Sequence, residues 1–134
     1  MSEQKIVRVR DVMKTGFDMV DGRMTIAEAL GTMKYRDNKA LIVDKRDDDD
    51  EYGILMLSDI AKHVLGENRS QDRVNVYEVM AKPVVSVRPD MQIKYCARLF
   101  DRFGLSRAPV VEHGKVIGLV SYTDMVLKGM GVDD

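Results

Sequence analysis

Metal binding and nucleophilic catalysis depend most often on cysteine and histidine, and this chain has few of either. It contains one cysteine, Cys96, and two histidines, His63 and His113. These residues cannot form a zinc site of the usual nitrogen and sulfur type, and neither histidine lies beside a nucleophile in a recognisable motif. The glycine-rich phosphate-binding motifs and the G-x-S-x-G motif of serine hydrolases are also absent from the sequence. The sequence therefore predicts a protein that is not an enzyme and has no catalytic cofactor.

Other residues that could bind ions have simpler explanations. The acidic run Asp47–Glu51 offers oxygen ligands suited to Mg²⁺ or Ca²⁺, but it lacks the spaced ligands and fixed glycine of a calcium loop. We therefore expect a solvated turn and no metal site. The ten methionines are expected to fill the core rather than to bind a soft metal. Cys96 is expected to be a buried structural thiol, and both histidines are expected at the surface.

The composition is that of an ordinary folded protein with little net charge. The 134 residues are 45% hydrophobic and 32% charged, and the formal net charge is −1. This balance predicts no electrostatic attraction to nucleic acid or to an anionic membrane. Apolar runs such as Gly53–Leu57 and Val116–Val120 are much shorter than a membrane span. No secretory signal is recognised and a single cysteine fits a reducing compartment, so we expect a cytoplasmic protein.

The chain is an internal duplication. Asp11-Val12-Met13 is repeated 67 positions later as Glu78-Val79-Met80, and Met24-Thr25-Ile26 is repeated as Met91-Gln92-Ile93. Beginning at Ile26 in the first copy and at Ile93 in the second, apolar residues recur with the spacing of an amphipathic helix. They are Ile26, Ala29, Leu30 and Met33 in the first copy, and Ile93, Cys96, Ala97 and Phe100 in the second. We therefore expect one helix at the same place in each copy.

Polar residues and a glycine predict where helices begin and end. Four residues are predicted to cap helix N-termini: Thr25 (with Glu28 as its capping-box partner), Ser58, Asp90 and Thr123. Gly104 is expected just past the end of the second long helix. Strands are expected at Ala40–Val43, Gly53–Leu57, Ala108–Val111 and Val116–Tyr122, and short closing helices at Asp59–Leu65 and Asp124–Lys128.

Each copy thus has the order β-α-β-β-α, which belongs to the α/β (α+β) class. The repeats are predicted at 6–66 and 74–131, joined by a polar linker at 67–73. Because neither copy alone can bury its sheet, we expect the two to pack face to face about a pseudo-twofold axis. Two equivalent halves would make two equivalent clefts at their junction.

Three segments of the second copy resemble the cystathionine-β-synthase (CBS) domain pair, also called a Bateman module. Val79–Val87 (VMAKPVVSV) is similar to the family's opening V-M-x-x-P-V-x-[ST]-V pattern. Arg107–Glu112 (RAPVVE) is similar to its x-x-P-V-V-[DE] strand, and Gly118–Asp124 (GLVSYTD) to its closing G-h-h-[ST]-x-x-D motif. The first copy has weaker versions in Leu41–Asp44 and Gly53–Asp59. The resemblance covers nearly all of the chain and implies a stand-alone CBS pair.

The resemblance also implies a ligand, an adenine nucleotide such as AMP, ADP or ATP, in the clefts between the repeats. In the main cleft, Asp124 would accept hydrogen bonds from the ribose hydroxyls, and Ser121 would bind phosphate or ribose. Arg107 would bind phosphate oxygens and Leu119 would contact the base. The opposite wall is expected from the first copy, at Phe17, Asp18, Asp37 and Asn38.

The second cleft is expected to be the weaker one. Asp59 would again contact the ribose and Ile54 the base, with Lys39 in the place of the arginine. Met56 stands where the main cleft has a serine, and losing that hydrogen bond costs about 1 kcal/mol, or about fivefold in affinity. The opposite wall is expected from Val84, Val85, Leu105 and Ser106.

These expectations favour a regulatory module that senses the nucleotide and transmits the change to a separate protein or to its own oligomer. The resemblance also implies a disk-like homodimer. Two alternatives remain open: a ligand-free module used only for dimerisation, and a binder of another adenosyl ligand such as S-adenosylmethionine or a cyclic dinucleotide.

Overall fold

The computed structural model describes residues 5–131, in which short helices and strands alternate. The elements are α1 (Val9–Val12), β1 (Met19–Val20), α2 (Ile26–Thr32), β2 (Ala40–Val43), β3 (Gly53–Met56), α3 (Leu57–Ile60), α4 (Ile93–Phe103), β4 (Arg107–Glu112), β5 (Lys115–Ser121) and α5 (Tyr122–Leu127). A π-helical turn at Ala61–Leu65 continues α3, and 3₁₀ turns lie at Arg36–Asn38 and Val76–Glu78. Within residues 5–131, no helix has the length and apolar character to cross a membrane. The predicted mixed α/β class is confirmed.

The chain forms two compact units whose limits differ from those of the predicted repeats. One, the continuous unit, is Phe17–Val84. The other, the split unit, contains the described residues up to Gly16 together with those from Val85 onward. The opening segment of each predicted repeat therefore belongs to the unit that contains the other repeat's helix and hairpin.

Backbone hydrogen bonds explain this exchange of segments. In the split unit, Lys14 and Leu119 exchange two N–H···O=C bonds, both of 2.9 Å. In the continuous unit, Ala81 donates to Ile54 at 2.9 Å and Ile54 donates to Ala81 at 3.0 Å. Each hairpin, β2–β3 and β4–β5, thus gains a third paired segment, which is the opening segment of the other repeat. The duplication preserves this pairing, since Lys14 and Ala81 are 67 positions apart.

The strand register shows how far the duplication extends. β1 is parallel to β2, with Val20 opposite Val43, and β2 is antiparallel to β3. In the split unit β4 and β5 are antiparallel, and the first strand is reduced to a single parallel bridge between Val87 and Val110. Val20 and Val87 are 67 positions apart in the sequence, and so are their partners Val43 and Val110. The same backbone pairing therefore recurs in the two copies.

The two long helices begin and end largely as predicted. At the start of α2, Thr25 Oγ1 accepts from the Glu28 N–H at 3.1 Å and Glu28 Oε1 accepts from the Thr25 N–H at 2.9 Å, which confirms the capping box. The predicted cap of α4 by Asp90 is wrong, because the N-cap position falls on Gln92, which makes no side-chain cap. Gly104 ends α4 in the left-handed region at φ 66°, as predicted.

The predicted N-caps of the closing helices are wrong. Ser58 and Thr123 lie inside the first turn, because α3 and α5 start directly at the ends of β3 and β5. The cap positions are therefore the last strand residues, Met56 and Ser121. Only Ser121 has a side chain that can accept a hydrogen bond from the helix backbone.

Each unit has its own apolar core, and sequence-predicted core residues lie in both. Cys96 is fully buried in the core of the split unit, as predicted. Burial raises the pKa of its thiol to about 11. Both histidines are exposed, also as predicted.

Met13 and Met80, the repeated methionines, pack against glycines. A Cβ added at Gly118 would lie 2.8 Å from Met13 Sδ, and one added at Gly53 would lie 3.0 Å from Met80 Sδ.

Candidate ligand-binding site

Asp124 is a buried carboxylate at the start of α5, with a relative exposure of 4%. Its Oδ2 accepts hydrogen bonds from the Ser121 N–H at 3.1 Å and from the Ser121 hydroxyl at 2.9 Å. The Ser121 Oγ in turn accepts from the Asp124 N–H at 3.2 Å. Oδ1 lies 3.8 Å from Lys128 Nζ and has no hydrogen bond within residues 5–131. This second oxygen has the capacity to accept hydrogen bonds from a bound hydroxyl group.

Arg107 lies beside this carboxylate on the neighbouring strand, since it is the Cα partner of Ser121 across β4 and β5. Partial burial lowers the pKa of its guanidinium, and the charge of Asp124 acts in the opposite direction. Leu119 is buried two residues before Ser121, on the same face of β5. The structure thus brings together a cation, a hydroxyl, a carboxylate and an apolar side chain, the four residues predicted for one side of the main cleft.

The matching end of the β2–β3 hairpin carries different side chains. Met56 takes the place of Ser121 and provides no side-chain cap. Asp59 takes the place of Asp124 but is only partly buried. The Cα partner of Met56 is Ala40, so a methyl group stands where the split unit has a guanidinium. The same backbone therefore supports a less polar site in the continuous unit.

The predicted equivalence of Lys39 with the arginine is wrong. Lys39 corresponds to Ser106, because each of these residues accepts a hydrogen bond from the first N–H of its closing helix. Leu57 donates to the Lys39 carbonyl at 3.1 Å, and Tyr122 donates to the Ser106 carbonyl at 3.1 Å. The prediction matched Lys39 to Arg107 because both are cations. In the strand register, however, Ala40 corresponds to Arg107, and Lys39 lies one position before it. Lys39 itself is exposed and has a left-handed backbone, with φ 60°.

Asp18, predicted for the opposite wall of the main cleft, has a structural role in the continuous unit. Its two carboxylate oxygens accept the backbone N–H groups of Lys34 and Tyr35, both at 2.9 Å. These bonds hold the segment that follows α2. The carboxylate has lone pairs left for a ligand, but its position is set by these bonds within the protein.

The remaining predicted wall residues are divided between the two units. Asn38 is buried, Phe17, Val84, Val85 and Leu105 are partly buried, and Asp37 and Ser106 are exposed. Val85, Leu105 and Ser106 belong to the split unit and the others to the continuous unit. Each predicted cleft draws on both units, so its assembly stays a prediction.

Sequence reasoning missed Asp50, which lies in the acidic run expected to be a solvated turn. Its side chain is only 7% exposed and its carboxylate accepts from Lys82 Nζ at 2.7 and 2.8 Å. It also accepts from the backbone N–H and the Nε of Arg46, at 2.8 and 3.1 Å. These bonds hold its pKa well below the usual range, with the lysine contributing most. The prediction of a fully solvated turn is therefore wrong at this position, and no local sequence signal connects Asp50 with a lysine 32 residues away.

Comparison with known families identifies the repeat. The family described as the CBS domain matches residues 9–66 and 76–130, which are the two copies of the duplication. The chain belongs to the CBS domain family. It carries two CBS domains, and the resemblance seen in the sequence is confirmed.

Relatives include proteins of similar and of greater length. The CBS domain-containing protein YhcV of Bacillus subtilis is 30% identical over 126 residues, which cover 91% of this chain and 85% of YhcV. The protein MK0525 of Methanopyrus kandleri is 27% identical over 113 residues, which cover 81% of this chain and 57% of the relative. The chain thus spans little more than half the length of the Methanopyrus protein.

Solved CBS structures share the fold. The hexameric CBS-CP12 protein from bloom-forming cyanobacteria is 33% identical with a TM-score of 0.88, over 93% of this chain and 69% of that protein. The CBS domain protein TA0289 of Thermoplasma acidophilum is 31% identical with a TM-score of 0.77, over 91% and 68%. The CBS domain pair of MJ0100, solved with 5′-methylthioadenosine and S-adenosyl-L-methionine, has a TM-score of 0.78 over 95% and 98%, but at 23% identity it shows the fold alone.

Proposed function

We propose that this CBS pair is a regulatory module that binds an adenosyl ligand through Asp124. The observation that carries the proposal is the buried carboxylate, which has one oxygen fixed by Ser121 and the other able to accept further hydrogen bonds. A ribose offers two adjacent hydroxyl donors, which suit a carboxylate that acts only as an acceptor. The adenosyl compounds in the MJ0100 complex support this class of ligand.

Within this class we propose an adenine nucleotide, AMP, ADP or ATP. The Arg107 guanidinium is partly buried beside Asp124, and an anionic group on the ligand would offset the cost of burying its positive charge. A guanidinium can also form two parallel hydrogen bonds with phosphate oxygens. S-adenosylmethionine is the alternative, because it has the same ribose and is present in a complex of a CBS pair with the same fold.

The second cleft, at Asp59, is proposed as the weaker site. Met56 lacks the hydroxyl of Ser121, and Ala40 lacks the positive charge of Arg107. A ligand that depends on both groups should therefore prefer the Asp124 site. A ligand with fewer phosphates should lose less affinity at the second cleft relative to the main cleft, since its binding depends less on a cation.

Regulation requires that the ligand binds one arrangement of the protein better than another, and we propose that this difference acts on a partner protein or on self-assembly. A homodimer is the proposed assembly. The CBS-CP12 protein is hexameric, which shows that a structure with this fold can form larger oligomers. We also propose a cytoplasmic location, which is supported by the single cysteine, a composition that fits a reducing compartment.

Isothermal titration calorimetry with AMP, ADP, ATP and S-adenosylmethionine tests the proposal. The variants are Asp124→Asn, which keeps the side-chain size but removes the charge, and the matched variant Asp59→Asn in the other repeat. The Asp124→Asn variant should lose at least about tenfold in affinity for the tighter site, as expected when a charged hydrogen-bond acceptor is removed. The Asp59→Asn variant should leave that site unchanged. Circular dichroism of both variants controls for folding.

Two results would contradict the proposal. In the first, none of the four compounds binds at millimolar concentration and none raises the thermal midpoint, which would favour a ligand-free dimerisation module. In the second, a compound binds with equal affinity to wild type and to Asp124→Asn, which would move the site away from this carboxylate.

A further inference from the structure

The Asp50 carboxylate is an anchor between two segments that are distant in sequence. It lies in the turn between β2 and β3, and three groups donate to it: the Nζ of Lys82, and the backbone N–H and Nε of Arg46. Arg46 is a neighbour within the same turn and is largely exposed. Lys82 is different, because its side chain is only 22% exposed and it belongs to the segment that leads out of the continuous unit. The ion pair therefore ties that segment to the turn.

The tied segment runs beside the strand that carries the predicted base contact of the second cleft. Ala81 exchanges two backbone hydrogen bonds with Ile54, and the Val84 N–H donates to the Tyr52 carbonyl at 3.0 Å. Lys82 lies between these two attachment points. Ile54 and Val84 are both predicted residues of the second cleft, so the position of this segment determines how far apart they lie.

We propose that Asp50 is a positioning residue for the second cleft, acting through Lys82 to hold Ala81–Val84 against β3. The proposal rests on the proposed function, because it assigns a role to Asp50 in ligand binding at Asp59. The ion pair has little exposure to solvent, and a charge-assisted hydrogen bond in such a place is stronger than one at the surface. In this role Asp50 acts through Lys82 and does not itself contact the ligand.

The split unit does not repeat this anchor. The position equivalent to Lys82 is Thr15, and the turn equivalent to the acidic run is the short His113-Gly114 turn. Because neither residue type that forms the anchor occurs at these places, a change at Asp50 should affect the second cleft and not the main one. This asymmetry makes the proposal testable by comparing the two clefts in one protein.

The first measurement is amide hydrogen exchange by NMR, with no ligand present. The N–H groups of Ala81 and Val84 report directly on the tied segment, since both are hydrogen-bonded to β3 and its preceding residue. The Asp50→Asn variant should exchange both amides at least about tenfold faster, because the ion pair that holds the segment is replaced by a weaker hydrogen bond to a neutral amide. The matched control is Asp48→Asn, an exposed carboxylate in the same turn, which should leave both rates unchanged.

The second measurement is an AMP titration of the full chain followed by the NMR shifts of Val84 and Ser121. In Asp50→Asn, the Val84 signal should report an affinity for AMP at the second cleft that is about tenfold weaker than in wild type. The Ser121 signal should report an unchanged affinity at the main cleft. Lys82→Met should behave like Asp50→Asn, and Lys82→Arg, which keeps the cation, should restore most of the affinity. General destabilisation would weaken both clefts together and would not respond to the arginine.

The outcomes separate this proposal from the proposed function. Unchanged exchange in Asp50→Asn, equal weakening at both clefts, or no AMP response at Val84 in wild type would each overturn the positioning role. If AMP and S-adenosylmethionine bind to neither cleft of the wild type, the proposed function fails and the ligand role of Asp50 fails with it. If AMP binds at Ser121 but the Asp50 variants leave the affinity reported by Val84 unchanged, only the positioning role fails.

Discussion

The capping of α5 by Ser121 should be a measurable source of stability. In Ser121→Ala, the Asp124 N–H loses its acceptor at 3.2 Å and the Asp124 carboxylate loses a hydroxyl donor at 2.9 Å. Loss of a serine N-cap typically costs about 1 kcal/mol. Loss of a hydrogen bond to a buried charged group costs about 1.5–3 kcal/mol, but the Ser121 N–H still donates to the carboxylate and limits this effect. We expect a total of about 2 kcal/mol, or roughly 8 °C in Tm at about 4 °C per kcal/mol.

Urea unfolding followed by circular dichroism measures this change, provided that the m value is the same in each variant. The matched control is Thr123→Ala, an exposed hydroxyl inside the first turn of α5, which should cost less than about 0.5 kcal/mol. Ser121→Thr keeps the hydroxyl and should lie close to wild type. The reasoning is refuted if Thr123→Ala is as destabilising as Ser121→Ala, or if the threonine variant is as unstable as the alanine variant.

Three further experiments test other parts of the structure. Gly118→Ala should destabilise by about 1–3 kcal/mol in the same unfolding assay, because the new Cβ would lie 2.7 Å from the Lys14 carbonyl oxygen. Gly31→Ala should stabilise by about 0.5–1 kcal/mol, because Gly31 lies in α2 and its new Cβ would have no atom within 4 Å apart from its chain neighbours and the backbone of its own helix. Met56→Ser should tighten nucleotide binding at the second cleft by about fivefold, measured by calorimetry in an Asp124→Asn background; no gain would show that the missing hydroxyl is not what weakens this cleft. Burial raises the pKa of Cys96 from 9.0 to about 11, so the unfolded chain loses this proton first and stability should fall as pH rises from about 9 to about 11. The corresponding slope should be absent in Cys96→Ala, and equal slopes in the two proteins would contradict the assignment.

Patterns that depend on neighbouring residues predicted the fold well. The strand at Ala40–Val43 has the predicted bounds, and the capping box of Thr25 with Glu28 and the left-handed Gly104 are also present. These features follow from alternation, helix spacing and turn chemistry, which act within a few residues. The exchange of segments between the units was not predicted, because the pairing of Lys14 with Leu119 is a long-range contact without a local signal.

The errors at the candidate site have different physical causes. Ser121 and Asp124 are spaced three apart, which is the spacing of a capping box, so the sequence contained the signal for the true cap of α5 and the competing Thr123 obscured it. The match of Lys39 to the arginine failed because charge was used in place of strand register. Asp50 could not be found, since a run of acidic residues usually predicts solvation and only the folded chain shows which one of them is buried.

The two copies share a backbone, so any difference between their clefts must come from a few side chains. Both copies place an aspartate in the first turn of the closing helix, so the carboxylate that would receive the ribose does not distinguish them. What differs is the pair of residues at the end of each hairpin, which is Ser121 with Arg107 in one copy and Met56 with Ala40 in the other. A hydroxyl and a guanidinium favour phosphate, whereas a thioether and a methyl group provide apolar contact but no donor to it. If the proposed function holds, selectivity between nucleotides with more and fewer phosphates should therefore depend on these two positions, and exchanging both pairs should exchange the preferences of the two clefts.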